Sequence, residues 1–293
     1  MTTRIHFIGV GKMGLPMATH LAAAGHAVTV SDINAQRLQL AQAQGLAVVD
    51  DVAKGIAAAQ VIFSSLPNDA ALLSVAAQVA AAAPRGAIYV DTSTVSQPAS
   101  AEAAQRCAAA GVHSLRSTVS GNNKMAEAAQ LTVMVSGPRA AYDQVLPLLS
   151  TLGPKLFYLG EAEQARLMKL VVNLMIAQTS AMLSEALTLG RKGGLDWRDM
   201  WQVLGASAVG SPIVKAKSVQ LSERDFAPTF TVEQMLKDLD LILGAGAANH
   251  VPLAQTALTY QLMQAAVAQG DALDDYASII KAVERSAGLP DKL

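Results

Sequence analysis

Short apolar runs separated by longer segments of mixed polarity fill the first 160 residues of the chain. The apolar runs predict strands over residues 5–8, 27–31, 61–65, 87–90, 112–119, 131–135 and 155–158. The segments between them predict helices over residues 15–24, 35–44, 70–83, 98–110, 125–129 and 139–151. Strands that alternate with helices indicate a parallel sheet covered by helices on both faces.

After Gly160 the pattern becomes purely helical, beginning with one long helix over residues 162–192 that stops at Gly193-Gly194. Further helices are predicted over residues 197–204, 214–221, 232–245, 252–269 and 275–287. We therefore predict two domains, residues 1–161 and residues 162–293, with the long helix as their connection.

Two polar residues interrupt the most apolar part of the long predicted helix. Every residue from 167 to 177 is apolar except Lys169 and Asn173, which lie four apart and therefore on the same helix face. A helix that is apolar nearly all round is buried, and a buried lysine usually has a partner. Lys169 is therefore either a lysine that extends its ammonium group to water or a proton donor oriented by the amide of Asn173.

Composition excludes several functional classes. The formal net charge is −1 and only 15% of the residues are charged, which leaves no broad basic surface for nucleic acid. Hydrophobic residues make up 52%, but no apolar run reaches the ~18 residues of a membrane span. Residues 1–14 lack the pattern of a secretory signal, and we expect a soluble, cytoplasmic protein.

Cysteine and histidine usage argues against a metal centre. Cys107 is the only cysteine, so a disulfide within the chain is excluded. The five histidines are scattered without a pair at metal-binding spacing. We expect no bound metal.

The strongest motif is the turn Gly9-Val10-Gly11-Lys12-Met13-Gly14, between the first predicted strand and the first predicted helix. A second strand follows, and Asp32 comes 18 residues after Gly14. This order predicts a Rossmann-type dinucleotide site: Gly9 permits the turn, Gly11 admits the pyrophosphate and Gly14 brings helix against strand. The pyrophosphate would lie at the helix N-terminus, where free N–H groups attract negative charge.

Asp32 also indicates which dinucleotide is used. Its carboxylate would accept hydrogen bonds from the adenosine ribose and repel a 2′-phosphate, which favours NAD over NADP. Arg37 lies close enough in the sequence to keep NADP as the alternative. Leu66-Pro67 and Ser93-Thr94 follow two other predicted strands at the edge where cofactors bind, although ordinary turns or helix caps would explain them equally well.

At this point the chain resembles the β-hydroxyacid dehydrogenase family, which includes 3-hydroxyisobutyrate dehydrogenase and tartronate semialdehyde reductase, over essentially its whole length. The resemblance is carried by the glycine turn with its continuation Leu15-Pro16-Met17-Ala18, by Leu66-Pro67, by 91–96, by Lys169-Leu170-Val171-Val172-Asn173, and by Phe230 with Lys237-Asp238-Leu239. It implies a C-terminal domain like that of 6-phosphogluconate dehydrogenase and assembly into a homodimer or homotetramer. Small-residue faces such as 245–248 in the helical half agree with such assembly.

The resemblance also implies roles for individual residues. Lys169 would donate a proton to the substrate carbonyl and Asn173 would hold substrate and lysine in register. Ser120, Gly121 and Asn122 would bind a substrate carboxylate. The cofactor-binding residues would be Gly9, Gly11, Lys12, Met13, Gly14, Asp32, Leu66, Pro67, Thr94 and Lys237.

One segment departs from the family pattern. The family usually reads Asp-Ala-Pro-Val-Ser-Gly-Gly where this chain has Arg116-Ser117-Thr118-Val119-Ser120-Gly121-Asn122. Either this segment is a surface turn that has drifted, or Asn122, Asn123 or Lys124 recognises further groups of the substrate. The loss of the second glycine also puts the backbone conformation at Asn122 in question, because glycine adopts positive φ freely and asparagine less so.

The sequence thus favours an NAD-dependent oxidoreductase that interconverts a short 3-hydroxy acid and its semialdehyde. An imine reductase is a second interpretation, although Lys169 argues against it, since related imine reductases carry other residues there. A non-catalytic dinucleotide-sensing protein is a third.

Overall fold

A computed structural model describes residues 2–292 and places them in two compact units, one up to Lys169 and one from Leu170 onward. The division falls inside the longest helix, so Lys169 is the last residue of the first unit. The strands of the first unit are β1 (Arg4–Ile8), β2 (Ala27–Ser31), β3 (Ala47–Val48), β4 (Val61–Ser64), β5 (Ile88–Asp91), β6 (His113–Ser120), β7 (Thr132–Ser136) and β8 (Lys155–Tyr158).

The helices of the first unit connect these strands. They are α1 (Gly14–Ala23), α2 (Ala35–Ala43), α3 (Val52–Ala58), α4 (Asp69–Ala82), α5 (Gln97–Ala109), α6 (Asn123–Glu127) and α7 (Arg139–Leu149). The strand order in the sheet is β3-β2-β1-β4-β5-β6-β7-β8. With β1 in the middle and chain crossovers on both sides, the predicted doubly wound sheet is confirmed.

One strand pair does not fit the predicted all-parallel sheet. β6 and β7 run antiparallel, with Ser117 opposite Val135, whereas the other neighbouring strands are parallel. The connection between them contains only the short helix α6. A parallel connection needs a crossover of about a dozen or more residues, usually with a full helix, so a connection this short returns the chain antiparallel.

Residues 45–60 carry two elements that the sequence pattern did not predict, β3 and α3. β3 is two residues long and α3 is seven, with Gly55 inside it. Both are too short for a periodic pattern to emerge, and glycine lowers helix propensity further.

Side chains of the central strands alternate between two hydrophobic cores, one on each face of the sheet. Phe7 and Phe63 belong to one core and stack with ring centroids 5.7 Å apart, while Ile8 and Ile62 belong to the other. This alternation has the two-residue period of a strand whose two faces are both covered.

Within residues 170–292 the second unit contains helices and no strand apart from one isolated bridge between Thr231 and Asp275, which confirms the predicted fold class. Its helices are α8 (Gln164–Lys192, which begins in the first unit), α9 (Trp197–Ala206), α10 (Pro212–Ser222), α11 (Val232–Ala248), α12 (Ala254–Ala268) and α13 (Ile279–Ser286), with a 3-10 turn at Tyr276–Ser278. α8 runs through 29 residues and is long and apolar enough, by length and composition alone, to cross a membrane. The sequence prediction counted only uninterrupted apolar residues and missed this, but a core helix of a soluble protein meets the same criterion.

Candidate active site

The glycine turn between β1 and α1 packs tightly against the protein at two of its three glycines. Gly9 has φ of +88°, and a Cβ there would lie 2.4 Å from the carbonyl oxygen of Ser65 at the end of β4. A Cβ on Gly14 would lie 1.9 Å from the carbonyl oxygen of Gly9. At Gly11, in contrast, a Cβ would meet no atom of the described chain within 4 Å. The turn is therefore closed against protein at Gly9 and Gly14 and open at Gly11.

The N-terminus of α1 is built to receive an anion. The next four helices, α2 to α5, have side-chain caps from Asn34, Asp51, Asn68 and Ser96, whereas no side chain of the described structure caps α1 at Met13. The first N–H groups of an uncapped helix attract negative charge. A cavity of about 280 Å³ opens here, and Gly11, Lys12 and Arg37 are among the residues that line it. The turn fits the pyrophosphate of a dinucleotide.

Asp32, directly after β2, ties the glycine turn to the neighbouring strand. Its Oδ2 accepts a hydrogen bond from the backbone N–H of Val10 at 2.8 Å, and its Oδ1 accepts one from Asn34 at 2.8 Å. A carboxylate has about four acceptor positions, so both oxygens keep capacity for ribose hydroxyls. Asp32 therefore shapes the glycine turn and keeps acceptor capacity at the end of β2.

Hydrogen bonds of Ser93 connect the carboxyl ends of β4 and β5. The hydroxyl of Ser93 accepts a hydrogen bond from the N–H of Leu66 at 2.8 Å and donates one to Asp91 Oδ1 at 2.7 Å. The two segments that the sequence singled out, Leu66-Pro67 and Ser93-Thr94, thus lie side by side at the carboxyl edge of the sheet. Pro67 is exposed and Thr94 is half-buried.

A buried arginine that the sequence reasoning missed joins this edge to α8. Arg166 is only 2% exposed, and its guanidinium donates to the carbonyl oxygen of Ser93 at 2.6 Å, to Asp91 Oδ2 at 2.5 Å and to Ser100 Oγ at 3.0 Å. Asp91 lies 75 residues away in the chain, so no local pattern reveals the pair. The signal in the sequence was a charged residue at the start of an apolar helix, one turn before Lys169.

The hydrogen bonds around Asp91 extend to two further buried side chains, Ser64 and Tyr89. Ser64 Oγ donates to Asp91 Oδ1 at 2.5 Å and shares a hydrogen bond of 2.8 Å with the hydroxyl of Tyr89. Burial, together with the nearby Asp91 carboxylate, raises the pKa of Tyr89 well above its usual value. Tyr89 therefore remains a neutral phenol, and the charges of this network are those of Asp91 and Arg166.

Two of the residues that depart from the family pattern hold the start of α8. Arg116 forms an ion pair with Glu163, with Nε 2.7 Å from Oε1, and both side chains are mostly buried. Thr118 donates from Oγ1 to the carbonyl oxygen of Ala165 at 2.9 Å. Arg116 and Thr118 therefore face the first turn of α8, which neither interpretation of this segment had predicted.

Gly121 and Asn122 follow directly after Ser120, the last residue of β6. Gly121 has φ of +139°, a backbone conformation that residues with a Cβ rarely adopt, which favours glycine at this position. Asn122 has φ of −97° and uses its side-chain oxygen to cap α6 at the N–H of Met125, 3.0 Å away. The concern about positive φ at Asn122 does not apply, because the positive φ belongs to Gly121.

In the second unit, Asn173 of α8 contacts α11. Its Nδ2 donates to Asp238 Oδ2, and Lys237 Nζ lies 2.8 Å from the other oxygen of the same carboxylate. Asn173 is 5% exposed and Asp238 is 1% exposed. The sequence predicts that the amide of Asn173 orients Lys169, whereas in the structure the amide nitrogen donates to Asp238.

Lys169 itself is half-buried on α8, three residues after Arg166 and one turn before Asn173. Within residues 2–292, no group of three or more histidine, cysteine and acidic side chains is placed to hold a metal ion. The site therefore consists of a dinucleotide edge on the sheet and a lysine on the helix that Arg166 fastens to that edge.

Comparison with known proteins agrees with this site. Residues 4–160 match a family model described as the NAD binding domain of 6-phosphogluconate dehydrogenase. Residues 164–283 match one described as NAD-binding of NADP-dependent 3-hydroxyisobutyrate dehydrogenase. The fold and site thus define an NAD(P)-dependent oxidoreductase that acts on hydroxyl groups.

The chain is also similar to individual dehydrogenases and reductases. The 2-(hydroxymethyl)glutarate dehydrogenase of Eubacterium barkeri is 34% identical, over 98% of this chain and 96% of that protein. Glyoxylate/succinic semialdehyde reductase 1 of Arabidopsis thaliana is 28% identical, over 96% and 99%. The solved structure of 3-hydroxyisobutyrate dehydrogenase from Mycobacterium tuberculosis with L-serine superposes with a TM-score of 0.88 at 27% identity, covering 97% of this chain and 99% of that one. The chain belongs to the β-hydroxyacid dehydrogenase family.

Proposed function

We propose that this protein interconverts a short 3-hydroxy acid and its semialdehyde with NAD as cofactor and Lys169 as the proton donor or acceptor. The observation that carries the proposal is the place of Lys169 on α8. Three residues before it, Arg166 binds the carbonyl oxygen of Ser93 and the carboxylate of Asp91 at the carboxyl end of β5. Cofactors in doubly wound sheets bind at that edge.

The chemistry follows from placing a cation beside a carbonyl. Bound NADH supplies a hydride to the aldehyde carbon. As the hydride arrives, negative charge develops on the carbonyl oxygen, and the ammonium group of Lys169 stabilises that charge and transfers its proton. In the opposite direction the neutral amine of Lys169 takes the proton of the hydroxyl group. The rigid, apolar helix holds the group in place.

The substrate carboxylate is assigned to the segment after β6. Ser120 offers a hydroxyl group, and Gly121 adopts a backbone conformation that turns the chain sharply there. Backbone N–H and hydroxyl groups are suitable donors for a carboxylate. Asn122 is assigned to the same carboxylate through its backbone N–H, since its side-chain oxygen caps α6. The carboxylate of Asp32 favours NAD, because it would repel the 2′-phosphate of NADP.

The test is a steady-state survey with both cofactors. The panel contains 3-hydroxyisobutyrate and 2-(hydroxymethyl)glutarate in the oxidation direction, and succinic semialdehyde, glyoxylate and tartronate semialdehyde in the reduction direction. We expect turnover with at least one 3-hydroxy acid, and a larger kcat/KM with NAD than with NADP. NADH binding without turnover on any member would instead support a dinucleotide sensor, and preference for NADP would contradict the role of Asp32.

The role of Lys169 is tested with Lys169→Ala. General acid–base groups contribute about 100- to 10,000-fold to rate, so kcat should fall by that order while the Kd for NADH changes less than threefold. Lys54→Ala is the matched control, because Lys54 lies in the same unit with its side chain 82% exposed. Retention of full turnover in Lys169→Ala would reject the assignment.

We also propose that the protein forms a homo-oligomer through α8. Met168, Met175, Met182 and Leu189 repeat every seven residues along this helix and are 38%, 61%, 62% and 76% exposed. A seven-residue repeat of exposed apolar side chains is typical of helices that pair. Light scattering should show a dimer or tetramer, and Met182→Lys should lower its association constant; a monomer at micromolar concentration would refute the proposal.

A further inference from the structure

Side chains of two neighbouring strands bind the start of α8, one from the carboxyl end of β7 and one from within β6. From β7, Ser136 donates to the carbonyl oxygen of Ala162 at 2.7 Å and accepts from the N–H of Ala165 at 3.1 Å. From β6, Thr118 donates to the carbonyl oxygen of Ala165. These hydrogen bonds fix the backbone just before Arg166 and so restrict where its side chain begins.

The guanidinium of Arg166 adds three contacts in different directions. It donates through Nη1 to the carbonyl oxygen of Ser93, through Nη2 to Asp91 and through Nε to Ser100. The planar fork of arginine is the only cationic side chain that can make three such bonds at fixed angles. At 2% exposure and with these partners, Arg166 is in no position to bind a substrate directly.

A contribution to folding stability does not explain why the Arg166–Asp91 ion pair is buried. Asp91 is as deeply buried as Arg166, and taking two charges out of water costs nearly as much free energy as their attraction returns. An apolar pair of similar volume would stabilise the fold at least as well. An apolar pair has no directional contacts, whereas the contacts of Arg166 define one orientation of the first turn of α8, which lies within the first unit.

Asp91 also fixes the edge at which the cofactor binds. Its Oδ1 accepts from Ser64 and from Ser93, and Ser93 in turn accepts from the N–H of Leu66. One carboxylate therefore sets the ends of β4 and β5 and, through Arg166, the first turn of α8. Lys169 is three residues further on the same side of the helix, about 4.5 Å along its axis.

We propose that Arg166 is a positioning residue that sets the register of Lys169 against the cofactor edge, with Asp91 as its anchor. This inference rests on the proposed function, in which Lys169 transfers the proton. A displacement of a reacting group by about 1 Å can lower a rate roughly 100-fold, so small movements of this helix turn have large effects on kcat.

Two variants test the inference. Arg166→Lys keeps the positive charge but loses the three-way fork. The double variant Arg166→Met with Asp91→Asn removes both charges and so leaves no unpaired ion in the core. Arg106→Met is the matched control, because Arg106 forms an exposed ion pair with Glu102 in the same unit. Each protein is examined for kcat per NADH-binding site, pH profile of kcat, NADH affinity, and amide hydrogen exchange over residues 165–170 with NADH bound.

We expect Arg166→Lys to bind NADH within threefold of the unmodified protein. The double variant also alters the cofactor edge at Asp91, so its kcat is compared per NADH-binding site. The kcat of both variants should fall about 100-fold with a shifted pH profile, and exchange over residues 165–170 should accelerate at least tenfold, while the Arg106 variant changes none of these. A purely structural pair would lower the folded fraction but leave kcat per NADH-binding site unchanged, most clearly in the double variant.

The outcomes separate the inference from the proposed function. Unchanged exchange in Arg166→Lys, or kcat per site within threefold of normal, overturns the positioning role. Full turnover in Lys169→Ala rejects the proposed function instead, and accelerated exchange in Arg166→Lys would still support the anchoring of this turn in that event.

Discussion

The side-chain amide of Asn173 donates to Asp238 Oδ2 across 2.5 Å, and the two residues lie 65 positions apart in the chain. Neither is more than 5% exposed. The pair joins α8 to α11 at the point where Lys237 also contacts the carboxylate. Two residues of the family's motifs, one from each helix, thus share a single buried acid within the second unit.

Replacing Asn173 by leucine should destabilise the protein. Asp238 would lose its amide donor in a buried place, and an unsatisfied buried group costs about 1–3 kcal/mol, with larger values for charged groups. The free energy of unfolding measured with urea should fall by that amount. Gln264→Leu is the control, because the amide of Gln264 makes an exposed hydrogen bond to Tyr260. Equal stabilities of the two variants would show that the Asn173–Asp238 contact contributes nothing.

Alanine substitutions at Gly11 and at Gly14 should have different effects, one on cofactor binding and the other on folding. Gly14→Ala places a Cβ 1.9 Å from the carbonyl oxygen of Gly9 and should lower the melting temperature or prevent folding. Gly11→Ala meets no protein atom within 4 Å and should melt like the unmodified protein. It should nevertheless weaken NADH binding at least tenfold, about 1.4 kcal/mol, because the methyl group occupies the space that the pyrophosphate needs.

Calorimetry of the two alanine variants and NADH titration by fluorescence measure these effects. Gly25→Ala is a poor control because Gly25 has φ of +88°. Gly205 is suitable, because its φ is not positive and an added Cβ would meet no atom within 4 Å outside its own helix turn. Unchanged NADH affinity in Gly11→Ala would place the cofactor elsewhere.

Stability should depend on pH through His6. This residue is fully buried in β1, with ring nitrogens 2.9 Å from Thr29 Oγ1 and 3.1 Å from Ser31 Oγ. Burial lowers the pKa of His6 from 6.5 to about 4. Between these values the unfolded chain binds a proton that the folded chain does not, so stability rises with pH in this window and is lost as the pH falls from 6.5 towards 4.

The size of the effect is on the order of 3 kcal/mol, from the shift in the pKa of His6 at about 1.4 kcal/mol per unit. Urea unfolding at pH 4.5, 5.5 and 7 should show this loss in the unmodified protein. His6→Gln keeps a polar side chain without the titration and should have a flatter profile, whereas His113→Gln, at an exposed position, should not. Parallel profiles for all three proteins would contradict the assignment.

The elements that the sequence predicted well are those whose signals are local. Gly9, Gly11, Gly14 and Asp32 lie within one strand–helix–strand unit, and their spacing alone indicated the dinucleotide turn. The long run of apolar residues around Lys169 likewise indicated a helix before any fold was known. Such signals can be recognised in the sequence because backbone sterics and side-chain periodicity act over a few residues.

The short elements and the strand direction were harder to predict. β3 and α3 are too short to show a period, and the antiparallel pairing of β6 with β7 depends on the length of the connection rather than on strand composition. The departure at Arg116 was visible in the sequence, but its meaning was not, because Glu163 lies 47 residues further along the chain.

The sequence by itself determined the longer strands and helices, the glycine turn and the helix that carries Lys169. Only the tertiary structure decided which buried polar groups pair: Arg166 with Asp91, Arg116 with Glu163, and Asn173 with Asp238. The physical reason is that a buried polar group must find a partner wherever packing brings one within about 3 Å, and that partner can come from any part of the chain.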